Sequence, residues 1–137
     1  MSNVIRVRWG WLKAMYIYTL VGAGGTGLGM IFFPHILQSL FKFPSQDPIV
    51  FGVFGSFLVA SGLLAILGIR SPLKFIPLLA LQICYKSVWI LGVMLPQLLR
   101  GGFPFHAIVL FVIFVTYLIG DLIAIPFPLL FSKQANT

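Results

Sequence analysis

The chain has 137 residues, of which 60% are hydrophobic and only 8% charged, with a mean hydropathy of +1.08. Soluble domains carry about 25% charged residues, and a soluble protein of this length needs far more polar surface than this one offers. Nine Lys and Arg against two acidic residues give a net charge of +7, but the cations are scattered singly between apolar runs and form no stripe, which excludes a nucleic-acid surface and points to cations flanking membrane spans.

A span is predicted over Ala14–Phe33. Arg6, Arg8 and Lys13 precede it as they would a signal peptide, yet the apolar stretch continues through Leu28, Met30, Ile31, Phe32 and Phe33, so it reads as a retained helix. Trp9, Trp11, Tyr16 and Tyr18 are expected to anchor it at the interface. Within it, Gly22-Ala23-Gly24-Gly25-Thr26-Gly27 matches the dinucleotide pattern GxGxxG literally. No strand precedes it, and the same stretch holds Gly25-x-x-x-Gly29, a small-residue spacing that lets helices approach closely in lipid.

A connection from His35 to Pro48, with Pro44 and Asp47, leads to a second span over Ile49–Ile69. Gly52, Gly55, Ser56, Val59 and Gly62 recur there at helical spacing, so spans one and two are expected to pack closely through Gly25, Gly29, Gly52, Gly55 and Gly62. Arg70 to Lys74, with Pro72, forms the next link, and the third span runs over Phe75–Leu99. Arg100 to Pro104 precedes the fourth, Phe105–Phe127. Each run is long enough for the ~30 Å of hydrocarbon that about 20 helical residues cross, and none alternates as barrel strands do. The links are short and force consecutive helices to be antiparallel. The expectation is an all-α, polytopic membrane protein: one transmembrane domain over residues 1–137, built as an antiparallel four-helix bundle.

Arg6, Arg8, Lys13, Arg70, Lys74 and Lys133 fall on one side, and Lys42 with Arg100 on the other. Cytoplasmic loops are richer in Lys and Arg, so both termini are placed in the cytoplasm and the chain in the cell's inner, cytoplasmic membrane.

Lys86 falls near the middle of the third span, where a cation costs on the order of 3 kcal/mol and is expected to face the bundle interior. Asp121, on the antiparallel fourth span, lies at a similar depth, about 25 Å from the shared loop against ~20 Å for Lys86. The two are expected to form an internal pair, with Gln82 one turn from the base and Tyr117 one turn from the acid as hydrogen-bonding neighbours. One reading makes the pair structural, fixing helix register; the other has Lys86, Asp121, Gln82, Tyr85 and Tyr117 line a site for a polar head such as a quinone, or relay a proton. His35 and His106 have no third ligand at recognisable spacing, so no metal or haem site is expected, and Cys84 reads as a small packing residue that can form no intramolecular disulfide.

Taken together, Phe33-Pro34, Pro44, Gly55, Gly62, Arg70-Ser71-Pro72-Leu73-Lys74, Lys86, Gly120-Asp121 and Pro126 resemble the small bacterial four-helix membrane proteins grouped as DoxX-like, over residues 15 to 127. The resemblance implies a cytoplasmic-membrane bundle with a shared polar centre at Lys86 and Asp121 and, for some members, association with quinone-linked redox complexes. The functional expectation is a non-enzymatic accessory subunit of a membrane complex, or a binder of a lipid-like molecule. The alternative is a quinone-linked redox subunit. The expected partners are the bilayer and other membrane subunits or a second copy of the chain, with no nucleic acid.

Overall fold

In the computed structural model, residues 5–133 are described. The segments 1–4 and 134–137, which hold both chain ends, lie outside them. Four helices are long and apolar enough to cross a membrane: α1 (Trp9–Phe32), α3 (Pro48–Arg70), α4 (Ile76–Leu99) and α5 (Phe105–Ala124). Two short helices join them, α2 (Pro34–Phe41) between the first two spans and α6 (Phe127–Leu130) after the last. No strand forms among the described residues. In lipid a helix satisfies its own backbone groups, which is why apolar runs of this length adopt it.

The ends of the helices follow local chemistry. Phe33, at φ −134°, breaks α1 from α2, and Pro34 then starts α2 at a position where its missing N–H costs nothing. α2 closes with Lys42 in the left-handed region (φ 58°), where Phe43 N–H donates to the Gln38 carbonyl at 2.8 Å, a Schellman-type cap. Asp47 caps α3 by accepting from the Ile49 N–H at 3.3 Å, with Pro48 as the first helical residue. The fourth span was expected to reach Phe127, but α5 stops at Ala124. Ile125 is extended (ψ 125°) because it precedes Pro126, which disfavours helical backbone in the residue before it.

The connection expected from His35 to Pro48 thus contains a helix. Leu37, Leu40 and Phe41 recur at i, i+3 and i+4 behind Pro34, the pattern of an amphipathic turn. α1 and α4 each contain a π-helical turn, at Thr19–Gly24 and Ile90–Met94. The second lies directly before Pro96, whose ring and missing N–H disrupt the α-helical ladder one turn upstream.

α1 packs along α3 on one side and α5 on the other, α5 packs on α4, and α3 and α4 touch little. The seam between α1 and α3 is made by glycines in a register different from the expected one. A Cβ on Gly27 would meet the Gly55 carbonyl oxygen at 2.6 Å, and one on Gly62 would meet the Gly24 Cα at 2.8 Å. Gly55 and Gly62 therefore lie in the seam, but their partners are Gly24 and Gly27. Gly25 and Gly52 have open space around them, and Gly29 faces Leu37 of α2. The reason is phase: Ala23, Gly24, Gly27 and Met30 share the buried stripe of α1, and Gly25 lies on its exposed side.

The bundle is packed solid at the end that holds the Arg70–Lys74 link. Leu12, Met15, Tyr16, Ala65, Ile76, Leu79, Ala124 and Ile125 are buried there as one core. Tyr16 is inside it, donating to the Pro72 carbonyl at 2.6 Å, and its ring occupies the space left by Gly68. Tyr16 is thus an interior residue and not an interfacial anchor, Tyr18 is half-buried against Tyr117, and Trp9 and Trp11 are half exposed on the outside of α1. Cys84 is exposed on the lipid side of α4 and fills no core position. Toward the α2 end, a smaller core of Ala23, Met30, Phe51 and Leu58 leaves the bundle hollow.

Candidate functional site: a cavity above a buried lysine

The hollow is a cavity of about 380 Å³ in the half of the bundle nearest α2. Its walls are apolar: Ala23 and Met30 from α1, Phe51 and Leu58 from α3, Ile113 and Phe114 from α5. Leu37 and Phe41 of α2, with Phe43 and Gln46 beyond it, cover the top. Phe43 is wedged between Phe51, at 6.4 Å between ring centroids, and His106, at 5.0 Å, and Lys42 lies over the Phe105 ring at 5.0 Å. These contacts carry the cover across from α3 to α5.

The floor is where the polar chemistry gathers. Lys86 is 2% exposed, and its Nζ donates to Tyr85 Oη at 2.7 Å. The ammonium also lies over three aromatic faces, Tyr117 at 4.2 Å, Tyr85 at 4.3 Å and Phe114 at 5.2 Å. Aromatic faces are electron-rich, so this cage stabilises a cation that the surrounding hydrocarbon would penalise. Tyr85 is itself held edge-on between Phe57 (5.4 Å) and Phe114 (6.0 Å).

Tyr117 is fixed from the other side. Its ring stacks on Tyr18 with centroids 4.0 Å apart and planes within 6°, and its hydroxyl donates to the Tyr18 carbonyl at 3.0 Å. Gly22 gives that hydroxyl its room, and Tyr18 Oη is in turn 2.6 Å from Thr116 Oγ1. Tyr18 directly precedes the π turn of α1, and Tyr117 of α5 reaches that turn at Gly22.

Of the expected site residues, Lys86, Tyr85 and Tyr117 come together at the cavity floor. Gln82 does not join them: its Nε2 donates to Thr19 Oγ1 at 3.0 Å, and Thr19 donates to the Met15 carbonyl at 2.8 Å, a polar link between α4 and α1 below the floor. Asp121 is 0% exposed, yet both carboxylate oxygens are buried without a hydrogen-bond partner. The direct Lys86–Asp121 contact expected from their depths is not made, because the lysine turns to Tyr85 and the ring faces beside the cavity. Tyr117, whose ring lies against the ammonium, stands one helical turn before Asp121 on α5.

His35 is exposed and His106 packs on Phe43, and among the described residues no group of three or more His, Cys, Asp or Glu side chains could hold a metal. Residues that sequence reasoning missed are Tyr18, Phe114 and the α2 cover. Tyr18 carried a signal in its position one turn before Gly22, a glycine that leaves room for a facing side chain. Comparison with known families, curated proteins and solved structures returns no match to this chain.

Proposed function

We propose that this is a non-enzymatic protein of the cytoplasmic membrane that binds one lipid-like molecule in the cavity and serves as an accessory subunit of a larger membrane assembly. The observation that carries the reading is an apolar cavity that ends on a buried, aromatic-caged lysine. Ligand sites are typically concave, apolar and supplied with a few placed polar groups, and ~300 Å³ is the small end of their range. The cavity therefore suits a single chain or ring in contact with apolar walls, with its polar end at Lys86 and Tyr85.

Mass spectrometry of the protein released from a mild detergent tests this. Wild type is expected to carry one amphiphile, and Thr26→Trp, which puts a large side chain into the cavity wall from α1, is expected to lose it while remaining folded. An empty wild-type protein, or one in which Thr26→Trp changes nothing, would overturn the reading.

A second reading, a quinone-linked redox subunit, has its own support. Lys86 Nζ and Tyr85 Oη are hydrogen-bond donors beside an apolar cavity, and a quinone carbonyl is an acceptor on an apolar ring. An ultraviolet spectrum of the extracted protein that changes on chemical reduction would favour it over the first.

The orientation reading has both termini in the cytoplasm. A cysteine at Ser45, in the exposed link after α2, is expected to react with a membrane-impermeant thiol reagent on intact cells, and one at Ser132, after α6, to react only after lysis. Reaction at Ser132 in intact cells would reverse the topology.

A further inference from the structure

We propose that a lateral window between α3 and the α4–α5 pair lets one hydrocarbon chain run from the cavity into the lipid, so that the site takes a single-chain lipid of membrane length with a small, hydrogen-bond-accepting head; this rests on the reading of the cavity as an amphiphile site.

The window shows in two residues that face both ways. Val50 and Phe54 line the cavity, yet they are 66% and 37% exposed, while every other residue of the lining is buried or partly buried. They stand one turn apart on the flank of α3 turned away from its glycine seam with α1. α3 touches α4 little, and on this flank aromatic rings make the crossing. Below, Phe57 reaches Tyr85 of α4, with centroids 5.4 Å apart. Above, Phe51 meets Phe43, which goes on to His106 of α5. Phe54 lies midway between these bridges and belongs to neither.

The height of the window selects the number of chains. From Phe51 to Phe57 α3 rises about 9 Å. A chain between two walls needs two carbon–carbon contacts of ~3.5 to 4 Å, about 8 Å in all, and two chains side by side need three, about 12 Å. One chain passes, and the paired chains of a diacyl lipid do not.

The depth of the cavity selects the length. Between Tyr117 at the floor and Val109 near the top, α5 rises about 12 Å. Leu37 and Phe41 of α2 close the top, and below the floor the core is packed solid. A chain that spans one leaflet is about 15 Å long, half of the ~30 Å hydrocarbon, so with its head on the floor it overruns the cavity. Its end leaves where the wall is open, past Val50 and Phe54. Resting there costs little, because lipid tails are as apolar as the wall they replace.

The floor selects the head. Lys86 Nζ donates to Tyr85 Oη, which leaves Tyr85 its own proton to donate and Lys86 further N–H bonds beside the cavity that both residues line. An oxygen acceptor on the head satisfies them.

The test uses the full chain in nanodiscs of saturated phosphatidylcholine, whose excess makes it the diacyl competitor. Two photoreactive probes are compared, octan-1-ol and hexadecan-1-ol, each with a diazirine next to the chain end and each with and without excess unlabelled alcohol. Mass spectrometry reads the labelled residues. Both probes are expected to label in a way the unlabelled alcohol competes, the short one at cavity residues such as Leu58 and Ile113, the long one at Val50 and Phe54. Val50→Trp, a substitution on the exposed flank, is expected to keep the short-probe labelling and to lose the competed labelling by the long probe. Should it lose both, Phe54→Trp repeats the comparison, and loss of both probes there as well would mean that this flank is cavity wall and not a window.

Competed labelling by the long probe at Leu37 or Phe41 would carry the chain past α2, and competed labelling confined to the cavity would coil it inside; either result overturns the window, as does long-probe labelling unchanged by Val50→Trp. Competed labelling by the short probe alone would overturn the membrane-length class while leaving the amphiphile site standing. No competed labelling by either probe, together with no amphiphile in the mass spectrum of the extracted protein, would remove both.

Discussion

Gly62→Leu, in the α1–α3 seam, is expected to cost at least about 3 kcal/mol and to leave little folded protein after extraction. Adding side chains to a packed core costs typically ~1 to 3 kcal/mol when neighbouring side chains can shift. Here the obstacle is backbone: even a Cβ at 62 would meet Gly24 Cα at 2.8 Å and Gly24 N at 3.2 Å. Relief requires α1 to move away from α3, which breaks the Gly27–Gly55 contact as well. Gly25→Ala and Gly52→Ala form the internal control. Open space surrounds both positions, and alanine is the better helix former by up to ~1 kcal/mol, so these variants should be neutral or slightly more stable. Thermal melts in detergent check all three. A destabilised Gly25→Ala beside a tolerated Gly62→Leu would show that the helices meet in the other register.

The second large effect belongs to the buried charges. Lys86→Met leaves the Asp121 carboxylate with no compensating charge, and Asp121→Leu leaves a lone cation among aromatic rings. Breaking one partner of a buried pair costs ~3 to 5 kcal/mol, with snorkelling and protonation softening the loss in membranes. The double variant, Lys86→Met with Asp121→Leu, strands no charge and is expected to recover part of the stability. Because Asp121 accepts no hydrogen bond from Lys86, the coupling acts through the field between them and not through a shared bond. It should fall within the ~0.5 to 3 kcal/mol seen for interacting sites. Strictly additive losses in the double variant would mean that the two charges do not sense each other.

The architecture was legible because its signal is long and one-dimensional. A run such as Phe105–Ala124 needs only length and apolar composition to be recognised as a span. Lys86 and Asp121 were legible for the complementary reason, since an ionisable residue within such a run must face protein, and both are buried. What could not be read was phase and direction. Gly24 and Gly25 are adjacent, and which of them meets α3 depends on the helix rotation that the rest of α1, from Leu12 to Met30, imposes. The depth of Lys86 was equally consistent with a head turned toward Asp121 or toward Tyr85, because a flexible side chain chooses among partners that only the tertiary arrangement supplies. The cavity has no sequence signature at all: it is the space left where α3 and α4 diverge, and small residues such as Ala23 and Thr26 could as readily have closed it.

α2 bears on where a ligand of the proposed site would come from. Leu37 and Phe41 lie over the hollow, while Ile36 and Leu40, 64% and 67% exposed, point away from it. The exposed side of α2 also carries His35 and Ser39, and a short amphipathic helix of this kind suits the boundary between acyl chains and headgroups. Under the proposed amphiphile reading, a molecule that enters past such a cover comes from the surrounding leaflet, and the fraction of protein filled is expected to follow the mole fraction of that molecule among the lipids. Diluting the membrane with inert lipid would then empty the site even when the aqueous volume and total amount of ligand stay the same, whereas diluting with buffer would not.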